Sequence, residues 1–167
     1  MIFQENIFCL DTNVLIQAWQ NYYSPLFCPD YWDILNQLGK KGSIFIPQAV
    51  YDEVERTDDE LLEWLKSSSI PIKRMDGAVT NCLQEIYLKN ELHKYLVDNT
   101  KQRSLADPWV IAHAIKEKAT VVTKDEKVTA LNSKRIKIPN VCDNMGIRWI
   151  NDFQFIKELD LKFSCTF

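Results

Sequence analysis

The chain has 167 residues, 46% hydrophobic and 26% charged with four Gly and six Pro, which fits one globular domain (1–167) and excludes long flexible linkers. A formal charge of −3 excludes a protein that coats nucleic acid by charge alone, while leaving room for a local basic patch. The five cysteines (9, 28, 82, 142 and 165) are odd in number and lack a CxxC pair, so neither a zinc site nor a disulfide framework is expected. Reduced thiols, no apolar run approaching about 18 residues and no leader-like amino end predict a cytoplasmic protein.

In chain order, residues 7–10 (Ile-Phe-Cys-Leu) read as a buried strand that stops abruptly at Asp11-Thr12-Asn13. Ligands of open α/β sheets bind at the carboxyl ends of strands, so this strand delivers a carboxylate to the usual place for chemistry. Thr12 and Asn13 can cap the next helix, over 14–19. Residues 21–33 break up around Pro25 and Pro29 and carry Tyr22, Tyr23, Phe27, Tyr31 and Trp32. They read as an aromatic loop, or two short helices joined by one, with most rings packed on the body and some able to stack on bases. A helix over 31–38 ends at Gly39 and the basic turn Lys40-Lys41-Gly42.

Residues 43–46 form a second strand, and Pro47 opens a helix to about residue 56 that turns Val50 and Val54 inward and sets Glu53 at the edge of the buried face. Residues 57–60 look like a cap and acidic first turn for a helix over 61–66. A turn (67–69), a brief strand (70–74) and a long helix (79–99) follow. Pro108 fits only the first turn of a helix, which puts Asp107 at the amino end of the one that continues through Ala114. Residues 119–123 are a strong strand ending in Lys124-Asp125-Glu126, so the region has the helix-then-strand rhythm of a parallel α/β unit. Short strands over 135–139 and 147–150 precede a final helix over 153–159, capped by Asn151-Asp152.

Four acids share a positional logic. Asp11 and Asp125 follow strands at their carboxyl ends, and Glu53 and Asp107 lie in the first turns of helices. Singly, Asp107 reads as a helix-terminal carboxylate beside Ser104, Glu53 as a solvated helix face and Asp125 as a turn residue. In a parallel sheet all four converge over one edge. Carboxylates packed together repel and raise one another's pKa, so an ionised cluster calls for a cation. Hard oxygen ligands with room for water point to Mg²⁺ or Mn²⁺, and to phosphodiester hydrolysis by an activated water. The basic residues Lys40, Lys41, Lys124, Lys127, Lys134, Arg135 and Lys137 lie in loops or strand ends that can flank the acids and hold phosphates. His93 and His113, the only histidines, fall on predicted helices, which disfavours a histidine-based site.

The blocks Leu10-Asp11-Thr12-Asn13-Val14-Leu15-Ile16, Ile46-Pro47-Gln48-Ala49-Val50-Tyr51-Asp52-Glu53, residues 106–114 and Val121-Val122-Thr123-Lys124-Asp125 together resemble the PIN-domain family of VapC-like ribonuclease toxins. The resemblance runs from about residue 7 to 155, and the tail around residues 137–142 and 149–151 is similar to a less-studied PIN-like branch. It implies a three-layer α/β/α fold with a mainly parallel sheet, and Mg²⁺- or Mn²⁺-dependent cleavage of RNA. By motif, Asp11 and Asp107 become the most direct metal ligands, Glu53 and Asp125 complete the shell, and Thr12, Asn13 and Thr123 support them. Lys124, Lys127 and Arg135 become substrate contacts. A toxin role adds an antitoxin partner, and a homodimer is common in the family. The alternatives are a catalytically silent PIN-fold module that binds RNA or protein, and a nuclease acting on DNA. A haloacid-dehalogenase phosphatase is disfavoured because Asn13 stands where its second Asp belongs.

Overall fold

The apolar run near the amino end becomes the middle strand of a parallel sheet. In a computed structural model describing residues 6–98, 104–130 and 134–166, β1 (Phe8–Leu10) lies between β2 (Ile44–Pro47) and β4 (Thr120–Val122). The short β3 (Ile72–Lys73) and β5 (Trp149–Ile150) extend the two sides, giving the order β3-β2-β1-β4-β5 with every pairing parallel. Unbroken apolar runs in β1, β2 and β4 are what a sheet covered on both faces requires.

Helices cover both faces. They are α1 (Thr12–Gln17), α2 (Pro29–Lys41), α3 (Gln48–Thr57), α4 (Asp59–Ser67), α5 (Gly77–Lys89), α6 (Asp107–Glu117), α7 (Ile138–Met145) and α8 (Asp152–Glu158). Successive strand residues point to opposite faces, and β1 shows the consequence. Phe8 meets Phe155 of α8 edge-on at 5.1 Å, while the Cys9 thiol donates to the Val110 carbonyl of α6 at 3.6 Å. Phe45, in register with Cys9, lies against His113 of the same helix. The result is a three-layer α/β/α fold. Truncating either Phe8 or Phe155 to Ala is expected to cost about 3–5 kcal/mol.

From β1 the chain moves outward to β2 and β3, then returns through α5 and α6 to place β4 on the other side of β1. The carboxyl ends of β1 and β4 therefore flank the point where the winding reverses, the usual crevice for ligands in such sheets.

Several expectations change. The helix expected over 14–19 begins at Thr12, because the Asp11 side chain, not Thr12 or Asn13, accepts from the Thr12 N–H; it then widens into a π-helical turn (Ala18–Tyr22). Gly39 does not end α2, which runs to Lys41 and closes on Gly42 at φ 76°. Gly39 is needed inside the helix, since a Cβ there would stand 2.7 Å from the Ile70 Cα. Pro47 ends β2 and caps α3 without entering it, and the strand expected over 70–74 shrinks to β3. The helix expected over 79–99 ends at Lys89, because the Asn90 side chain accepts from the Leu92 N–H and starts a separate 3₁₀ turn (Glu91–Leu96); residue 99 lies outside the described residues.

The strand expected over 135–139 is a correction of kind. Lys137 caps α7 and Pro139 occupies its first turn, where a fixed φ and a missing N–H do no harm. Asn140 accepts from the Lys137 and Val128 N–H groups and donates to the Val128 carbonyl, tying the loop after β4 to this helix. All five cysteines are free thiols. Among the described residues no helix is long and apolar enough to cross a membrane.

Candidate active site

Asp11 extends the β1 ladder by one residue, its N–H donating to the Val122 carbonyl, and its side chain then turns over the sheet edge. One carboxylate oxygen accepts from the Thr12 N–H (2.7 Å) and the other from the Thr123 hydroxyl (2.8 Å). The Thr123 hydroxyl in turn accepts from the Asp125 N–H at 3.1 Å, so one side chain fixes acids at the ends of both β1 and β4. Asn13 completes that link, donating to Asp125 Oδ1 (3.2 Å) and accepting from the Lys124 N–H (3.0 Å).

Glu53 reaches the same place from α3. Its Oε2 accepts from the Thr12 hydroxyl at 2.6 Å and its Oε1 from the Ala106 N–H at 3.2 Å. Asp107 arrives from the first turn of α6, where Pro108 starts the helix. Asp11, Glu53, Asp107 and Asp125 together line one pocket of about 240 Å³, with Thr12, Asn13, Ile16, Gln17 and Ser104. No histidine lines it: His113 is buried against the sheet, and His93 is held by the Ile86 carbonyl and Asn144.

Asp11 is 3% exposed and Asp107 8% exposed, and neither is ion-paired among the described residues. Burial pushes the Asp11 carboxyl up to about 7, the charge of Asp125 and to a lesser degree Glu53 adding to it against the pull of the Thr123 and Thr12 hydrogen bonds. Asp107 is pushed well above the carboxylate range, first by burial and then by Asp11, Asp125 and Glu53, with Lys137 opposing. The pocket therefore concentrates negative charge, and none of the described residues lining it is a cation. Among the described residues no three His, Cys, Asp or Glu side chains form a group able by itself to hold a metal ion. The acids surround an open cavity and do not make a closed cage.

The expected basic rim comes together only in part. Lys40 and Lys41 precede β2 and so sit at the amino end of the parallel sheet, away from the acids. Lys124 pairs with Asp152 at 3.2 Å, Lys127 pairs with Asp143, and Lys134 lies over the Tyr95 ring. Arg135 is exposed. Lys137 is the rim cation whose charge Asp107 feels.

Asp152 is a feature that sequence reading assigned to a cap. The cap is Asn151, which accepts from the Gln154 N–H, and Asp152 instead turns inward to 1% exposure. There it accepts from the Tyr22 hydroxyl (3.0 Å) and from Lys124. Asn and Asp are both good capping residues, so the pair itself does not say which one caps.

A family model described as "Domain of unknown function (DUF4411)" matches residues 8–163. No curated protein matches. Among solved structures the chain is similar to one in the crystal structure of VapBC2 from Rickettsia felis bound to a DNA fragment from their promoter, at 24% identity and a TM-score of 0.53, covering 87% of this chain and 98% of that one. That likeness is one of fold, and it makes the parallel-sheet architecture PIN-like.

Proposed function

The chain belongs to the DUF4411 family, a domain of unknown function, and from its own pocket we propose that it is a Mg²⁺- or Mn²⁺-dependent endoribonuclease. The observation that carries this reading is the meeting of four acids around one cavity, two of them buried and without an ion pair among the described residues. Mg²⁺ suits such a donor set, because it is usually held by one or two carboxylates and several waters and not by a protein cage. Asp11 and Asp107 would hold the ion most directly, with Glu53 and Asp125 orienting its bound waters. When bound, the ion supplies charge neutralisation at the phosphoryl group and an acidified water for hydrolysis.

The chain's own residues prepare the site. Thr123 and the Thr12 N–H fix the direction of Asp11, Thr12 and the Ala106 N–H fix Glu53, and Asn13 fixes Asp125. Such hydrogen-bonding neighbours orient metal-binding oxygens and tune their basicity. A toxin role in the cytoplasm, with an antitoxin covering the cleft, draws support from the fold neighbour's place in a VapBC2 assembly.

The test is cleavage of a mixed set of end-labelled RNAs by purified protein with Mn²⁺, Mg²⁺ or EDTA, alongside Asp11→Asn. Metal-dependent cutting that disappears in the variant is expected. A folded, metal-loaded protein that cuts no RNA would move the reading to a binding module, and cutting confined to DNA would change the substrate class.

A further inference from the structure

Beside the acid pocket lies a second cavity, of about 270 Å³, that shares Asp125 with it. The chain divides here: Asp125 is held toward the acids by Asn13, while the preceding Lys124 is drawn to the buried Asp152. The Lys124 ammonium lies 4.7 Å from the Tyr22 ring centre and 5.2 Å from that of Phe153. Because Asp152 also accepts from the Tyr22 hydroxyl, cation, carboxylate and phenol lock one another in place.

Phe153 is thus braced from behind by a fixed cation, yet it is 59% exposed and lines the shared cavity. Trp149 lines the same cavity and is anchored in its turn, its indole N–H donating to Asp143 at 2.9 Å. Two aromatic side chains with neighbours that restrain them beside an open cleft lose less freedom than free rings when a flat ligand stacks on them. Lys127, on the same lining as Asp125 and Glu126, is paired with Asp143, so the cavity offers aromatic faces more than free positive charge.

We propose that this cavity is a nucleobase subsite for single-stranded RNA, in which the base neighbouring the bond to be cut stacks on Phe153. Stacking needs only a π-face, so the subsite places the strand without dictating its sequence, and it sets the stacked base beside the acid pocket with which it shares Asp125. The subsite takes its address from the nuclease reading, but RNA binding can be measured with no cutting at all.

The experiment is fluorescence anisotropy of a labelled mixed-sequence 12-nucleotide RNA with Asp11→Asn protein in Ca²⁺, comparing Phe153 with Phe153→Ala and Phe153→Trp. Circular dichroism melts check folding, which an exposed position should preserve. Phe153→Ala is expected to weaken binding about tenfold, within the range of base–aromatic stacking, and Phe153→Trp to restore it. An RNA of the same length with every base removed should bind more weakly, and that loss should shrink in the Phe153→Ala protein. Affinity unchanged within twofold by Phe153→Ala, or abasic losses that simply add to it, would overturn the subsite and leave the ring to a protein partner. Phe153-dependent binding by a protein that never cuts would uphold the subsite and sink the nuclease. Cutting indifferent to Phe153 would do the reverse.

Discussion

Asp11 and Asp152 are both buried carboxylates at the carboxyl ends of parallel strands, but among the described residues only Asp152 has a counter-ion. Asp152 holds Lys124 and the Tyr22 hydroxyl, a closed arrangement that fastens the final helix to the loop after β4. Asp11 has a hydroxyl and an amide for partners, with Asp125 and Glu53 adding negative charge nearby. Among the described residues a cation stands at the joint and none lines the pocket. An uncompensated cluster of buried acids works against folding. Its place at the winding reversal of the sheet supports the proposal that a divalent cation balances it.

The comparison is broken most severely by Asp152→Ala, which strands Lys124 and leaves the Tyr22 hydroxyl unpartnered. A loss of about 4 kcal/mol is expected in urea unfolding, the range for opening one side of a buried ion pair. Lys124→Met makes Asp152 resemble Asp11 and should cost about 2 kcal/mol, since the Tyr22 hydrogen bond survives. Asp11→Asn should act the other way, raising the stability of metal-free protein by about 1–2 kcal/mol near pH 8.

The pH dependence follows from the direction of the Asp11 shift. A carboxyl held near 7 in the folded state and near 3.8 in the unfolded state binds its proton more tightly when folded. That contribution is complete below the unfolded value and is lost as pH rises through about 7. The stability difference between Asp11→Asn and the natural chain in EDTA should therefore grow from pH 5 to pH 8; a flat difference would contradict the buried, unbalanced acid. Thr123→Val, which removes a hydroxyl from both Asp11 and the Asp125 N–H, should show the smallest effect, a loss of about 1 kcal/mol.

The acids were legible because Asp11 and Asp125 follow strands, Asp107 starts a helix and Glu53 sits at the buried edge of one, and a parallel sheet brings such positions together. The supporting hydroxyls were legible for the same reason, lying one or two residues away. Asp152 was not, since its partners Tyr22 and Lys124 are distant in sequence and only folding shows which member of Asn151-Asp152 caps the helix. The alternation of residues 135–139 read as a strand because Ile136 and Ile138 are both buried, and only the first turn around Pro139 reveals the helix. Gly39 looked like a terminator, but its reason is the Ile70 backbone pressed against it, a contact that local sequence does not encode.

The most direct measurement is calorimetric titration of Mn²⁺ into the natural chain and into Asp11→Asn, at pH 6 and pH 8. The natural chain should bind, and more tightly at pH 8, because at pH 6 a proton on Asp11 competes with the ion. Asp11→Asn should bind at least about tenfold more weakly, with its dependence on pH reduced. Equal binding by the two proteins, or no binding by a folded natural chain, would contradict the claim that this pocket exists to hold a divalent cation.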